Sequence, residues 1–97
     1  MEQSQDQQLN AIREVCVRNK MGLHARPAAR LAQEAQKFAA DISLATGEQV
    51  ADCKSVLDIL SLAAGRGCGL SLQASGVDAE EAVAHLADVL QDCLGED

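Results

Sequence analysis

Residues 22–28 read Gly22-Leu23-His24-Ala25-Arg26-Pro27-Ala28, and the proline marks where the first helix begins. Pro27 has no backbone N–H, so it fits a helix only in the first turn, where that donor has no partner anyway. Downstream the pattern is amphipathic. At about 100° per residue, Leu31, Ala35 and Phe38 share a stripe flanked by Ala28, Ala32 and Ala39, with Arg30, Gln33, Glu34 and Lys37 opposite. This spacing predicts a helix from about Ala25 to Ala40. Upstream, Val15 and Val17 alternate with Glu14, Cys16 and Arg18, the period of a half-buried strand over 12–19.

Ile42, Leu44 and Thr46 alternate along a second strand, and Thr46-Gly47-Glu48 turns into a third around Gln49–Cys53. Ser55 opens a short helix to about Ala63, and three glycines within residues 63–69 then break all regularity. A fourth strand near 69–75 puts Leu70, Leu72 and Ala74 on one face. Asp78, Glu80 and Glu81 mark the start of a last helix, where the dipole favours anions. It runs to about Leu94 with Ala79, Val83, Leu86, Leu90 and Leu94 inward. The order β-α-β-β-α-β-α with tight connections predicts an α/β (α+β) two-layer open-faced sandwich. Its four-stranded antiparallel sheet is covered on one face by three helices. Glu14, Arg18, Ser43, Ser71 and Gln73 suit the uncovered face. Residues 1–11 are polar and aperiodic and are read as a flexible N-terminal extension, with one domain over 12–97.

Composition narrows the class. With 97 residues there is room for one core, and with Phe38 as the lone aromatic that core is aliphatic. A net charge of −7 argues against nucleic acid and anionic membrane as partners. Neither a signal-peptide pattern nor an apolar run of membrane-spanning length is present, and the expected location is cytoplasmic. Cys16, Cys53, Cys68 and Cys93 are scattered, without a CxxC or a ligand spacing from His24 or His85. They are read as reduced structural thiols, and no metal or cofactor is expected.

His24 falls at or just before a helix N-terminus, where free N–H groups and the dipole welcome an anion. Arg26 adds a permanent cation with forked donors for phosphate oxygens. Neutral imidazole is a nucleophile, so the pair is compatible with a phosphohistidine. It is equally compatible with an imperfect cap beside an exposed cation. Gly22 would allow a partner's backbone to approach closely. His85, opposite the apolar stripe of its helix, is read as a solvated surface residue. Ser55 is a helix N-cap with Asp58 three residues on, a weak capping box. Val56 and Leu57 are surplus apolar residues in that first turn, expected to be exposed as a docking patch. Phosphate on Ser55 would put negative charge at the patch edge without harming the helix.

Taken together, "GLHARPAARLAQEA" and "KSVLDILSLAAGRG", at this spacing and within this order of elements, resemble the HPr family over about residues 13–94. These are the histidine-containing phosphocarriers of the bacterial phosphoenolpyruvate:sugar phosphotransferase system. The resemblance implies a stoichiometric, monomeric phosphocarrier and not an enzyme. It implies that His24 is phosphorylated on Nδ1 by phosphoenzyme I and relieved by enzyme IIA proteins, with Arg26 steadying the phosphoryl group. Ser55 matches the serine modified by HPr kinase/phosphorylase, whose phosphoserine form binds a regulator, and Ala25, Val56 and Leu57 match partner-binding positions. Met21 departs from the asparagine of many sugar-type members, and Gln33, Gln36 and Asp58 replace lysines of enterobacterial ones. "NKMGLHARPA" is similar to the nitrogen-related branch, whereas Lys54-Ser55 favours a sugar-type carrier. The alternatives are a regulatory HPr-like protein not coupled to sugar transport, and a ferredoxin-like small-molecule-binding domain that would explain neither motif.

Overall fold

Alternating apolar residues become one antiparallel sheet in the computed structural model, which describes residues 10–94. The elements are β1 (Asn10–Cys16), α1 (Ala25–Ala35), β2 (Asp41–Thr46), β3 (Gln49–Asp52), α2 (Val56–Ser61), β4 (Gly69–Ser75) and α3 (Ala79–Leu94). Strand order is β1-β4-β2-β3, so both central strands come from the middle and late chain. Register sets Leu72 opposite Leu44 and Ala74 opposite Ile42, which lines the inner face with aliphatic side chains. Against them pack Leu31 of α1, Ile59 of α2 and Leu86 and Leu90 of α3, all fully buried. Each such side chain contributes roughly 1.5–3 kcal/mol by leaving water. The uncovered face carries Glu14, Ser43, Ser71 and Gln73 as expected, none of them buried.

Element edges differ from the periodicity. β1 begins at Asn10, so residues 10 and 11 belong to the sheet, paired with Ser75 and Ala74, and not to an extension. Ala11 packs against the core, a one-methyl signal that alternation over 12–19 does not register. Residues 1–9 of the expected extension lie outside the described residues. β1 ends early because the N–H groups of Arg18 and Asn19 turn to the Leu94 carbonyl at the end of α3. The N–H groups of Lys37 and Phe38 bond the carbonyls of Glu34 and Ala35, a tighter winding past the end of α1. Those of Ala39 and Ala40 then donate to the Asp78 carboxylate at 2.9 and 2.8 Å. Lys54 Nζ takes the Phe38 carbonyl at 2.9 Å, so nothing remains here for a helical ladder. Ala39 is consequently exposed and Ala40 buried, the reverse of the flank expected for a longer helix. α2 stops at Ser61, and Ala63 adopts a left-handed φ of 51° at its exit.

Asp78 is the tie between α1, β2 and α3. Its main-chain carbonyl accepts the Ala82 N–H, opening α3, while its carboxylate holds the two amides of the α1–β2 connection. The Ala39 N–H first, then that of Ala40, hold this carboxylate below its usual range. A lowered carboxylate stabilises the fold above its unfolded pKa and stops doing so as pH falls through the folded value. Asp78→Asn offers one acceptor and one donor to two donors, so its Tm should be lower than wild type at pH 7. The two melting curves should converge as pH falls below the usual carboxylate range in a calorimetric pH series.

Candidate functional site

The site is built by a short turn. Residues 19–22 close on themselves through the Gly22 N–H and the Asn19 carbonyl, and Gly22 has a left-handed φ of +68°. A Cβ at Gly22 would lie 2.5 Å from the Ala64 oxygen and 2.9 Å from Gly65 Cα. The close approach expected for a partner is thus made by the chain's own 64–65 segment. Leu23 then donates its N–H to that same Ala64 oxygen at 2.9 Å and buries its side chain. With the buried Gly22 and Leu23 behind it and the helix ahead, the chain delivers His24.

His24 is the N-cap of α1 by its backbone, with φ −108°, ψ −169° and its carbonyl accepting the Ala28 N–H at 3.0 Å. Its ring makes no capping hydrogen bond and is partly exposed. The amides of Ala25 and Arg26 have no intrahelical acceptor in this first turn, and Pro27 has no N–H to satisfy. No acidic side chain occupies the turn. Arg26 is exposed one residue into the helix, and among the described residues no carboxylate pairs with it. The result is a half-open imidazole beside free N–H donors and a guanidinium, an arrangement suited to a tetrahedral dianion.

Ser55 does not share this site. Its Oγ accepts the Asp58 N–H at 3.2 Å, but only half of the expected capping box forms: the Asp58 carboxylate takes the Asp52 N–H at 3.1 Å, and the Ser55 N–H donates to the Asp52 carbonyl. Gln36, just past the end of α1, donates to the Lys54 carbonyl, whereas Leu23, before its start, meets the exit of α2. The two helices therefore run in opposite directions, and His24 and Ser55 lie at opposite ends of α1. An 11-residue helix is about 16 Å long. Leu57 is 80% exposed, as a docking residue should be, and Ala25 is exposed at the start of α1. Val56 corrects the expectation: it is partly buried and packs against the core.

His85 is exposed but not simply solvated. Its Nε2 lies 2.7 Å from Glu34 Oε1, and its ring centroid 5.8 Å from that of Phe38, bridging α1 and α3. The His85 hydrogen bond, with help from Lys37, lowers the Glu34 carboxyl. The cysteines are all unpaired, and burial pushes the Cys53 thiol up to about 12, which removes thiolate chemistry at neutral pH. No helix among the described residues is long and apolar enough to cross a membrane.

An open-faced sandwich whose first helix starts at a histidine that makes no capping bond is compatible with the class of histidine phosphocarriers. Residues 11–92 match the family described as the PTS HPr component phosphorylation site. The chain belongs to the HPr family. The phosphocarrier protein HPr of Mycoplasma capricolum is 36% identical over 76 residues, 78% of this chain and 85% of that protein. The HPr-like protein Crh of Bacillus subtilis is 41% identical over 76 residues, 78% of this chain and 89% of that protein. The phosphocarrier protein NPr of Shewanella violacea is 44% identical over 71 residues, 73% of this chain and 78% of that protein. Among solved structures, the histidine-containing phosphocarrier protein of Mycoplasma superposes with a TM-score of 0.84 at 33% identity, covering 87% of this chain and 96% of the other. An HPr dimer from Thermoanaerobacter tengcongensis gives 0.70 at 39%, covering 84% and 94%.

Asn19 and the 64–67 loop fall inside the quoted stretches, but their contacts with Gly22 and Leu23 join segments too distant in sequence for the motifs to show. The left-handed glycine was the available signal, since its neighbours in space are these two segments.

Proposed function

We propose that this chain relays a phosphoryl group from phosphoenzyme I to enzyme IIA proteins of sugar uptake, in the cytoplasm, with His24 as the residue that carries it. The observation that supports this most is the imidazole of His24, which serves neither as a cap nor as a buried packing element. Nδ1 of neutral His24 attacks the phosphorus in line. A new P–N bond forms as the bond to the donor enzyme breaks, and the donor keeps the electron pair. The N–H groups of Ala25 and Arg26 and the Arg26 guanidinium spread the charge of the transferring group. Because each contact is exposed to water, the group is held without being trapped. The carrier has no turnover of its own and works as a monomer.

Ser55 serves as a second, regulatory position for an HPr kinase/phosphorylase, with Leu57 as the apolar contact beside it. Ala25 and Leu57 form the exposed partner-facing positions, with Val56 anchoring the first turn of α2 to the core. A second reading, regulatory instead of transporting, is favoured by the likeness to Crh and NPr. Onward transfer separates the two. Phospho-His24 protein should pass its phosphoryl group to a sugar-specific enzyme IIA within the assay. If it does so only to a nitrogen-type IIA, the transport role is wrong and the regulatory one stands.

A further inference from the structure

Among the described residues, Asn19 is the one buried polar residue, at 6% exposure. Its Nδ2 donates to the Gly22 carbonyl at 3.3 Å, while its own carbonyl accepts the Gly22 N–H at 3.4 Å. One residue thus grips Gly22 from both sides. Asn19 is itself moored, since its N–H and that of Arg18 donate to the Leu94 carbonyl at 3.3 and 2.8 Å. Just past Gly22, the Leu23 N–H is fixed on Ala64, and His24 follows.

The Oδ1 of Asn19 is buried with no donor facing it. A buried acceptor without a partner costs stability, so an apolar side chain in this place would serve the core at least as well. What an apolar side chain does not do is hold the Gly22 carbonyl. Together with the Leu23 N–H on Ala64, that bond holds the peptide plane between Gly22 and Leu23 at both its polar ends, and with it the direction in which the chain presents His24. From this we infer that Asn19 is a positioning residue for phosphoryl acceptance, acting on His24 through Gly22 and Leu23. The inference rests on the reading of His24 as the phosphoryl acceptor.

Asn19→Ala and Asn19→Leu separate positioning from mere structure. Both take the donor from the Gly22 carbonyl, and both also remove the unpaired Oδ1, so one unsatisfied acceptor replaces another and Tm should stay close to wild type. Phosphoryl acceptance from phosphoenolpyruvate and enzyme I should nevertheless slow by about tenfold or more, because a displacement of roughly 1 Å is worth up to ~100-fold. In 1H–15N spectra the amides of Leu23 and His24 should shift and exchange faster, with those of Leu44 and Leu72 unchanged. A folded variant that accepts phosphate at the wild-type rate overturns the inference, as does unaltered exchange at Leu23 and His24. If the wild-type protein itself takes no phosphate on His24, the functional reading falls. The amide exchange still decides whether Asn19 orders this segment.

Discussion

His24→Ala should fold with nearly wild-type Tm and accept no acid-labile phosphate from phosphoenolpyruvate and enzyme I. The ring makes no capping bond, so its removal leaves no buried partner stranded and the backbone cap on Ala28 intact. The nucleophile, in contrast, has no substitute at this helix start: Arg26 is a permanent cation, and His85 is engaged with Glu34 on the α1–α3 bridge. Native-gel mobility and acid-lability of the adduct report the loss, and thermal melting reports the intact fold. Equal phosphate incorporation by the variant would remove His24 from the mechanism.

Gly22→Ala should do the opposite, damaging the fold and the site together. A Cβ there would approach backbone atoms at 2.5 and 2.9 Å, and backbone cannot swing aside as a side-chain tip does. The left-handed φ of +68° adds about 1–2 kcal/mol for any L side chain. Relief of the clash must move the 64–65 segment or the turn, with loss of the Leu23 bond to Ala64. Destabilisation on the order of 3 kcal/mol follows, read as a drop in the urea midpoint at unchanged slope. A domain of this size has roughly 5–15 kcal/mol in total, so the loss is severe. An unchanged midpoint would mean that the turn relaxes freely and does not constrain His24.

Much of this molecule is legible in its sequence because strand and helix periods are properties of local stretches. Leu70, Leu72 and Ala74 point inward, and Ala79, Val83, Leu86, Leu90 and Leu94 line α3, as their spacing requires. Pro27 placed the start of α1 for a reason intrinsic to proline. What escaped is set by residues distant in sequence. α1 ends early because Asp78 and Lys54, from other elements, claim the amides and the carbonyl that a longer helix would need. Gly22 invited a partner in the sequence and meets Ala64 in the fold. Asn19 reads as the last residue of a half-buried strand until the end of α3 closes beside it and takes its N–H. The separation of His24 from Ser55 depends on the antiparallel packing of α1 and α2, which no motif encodes.

The central claim is that one phosphoryl group resides on Nδ1 of His24. Phosphorylating 15N-labelled protein with phosphoenolpyruvate and enzyme I, then recording long-range 1H–15N and 31P spectra, tests it directly. The account predicts a single phosphoramidate signal coupled to Nδ1 of His24, with the His85 ring unchanged. Phosphate on Nε2, on His85 or on Ser55, or no adduct where an HPr control is labelled, would contradict it.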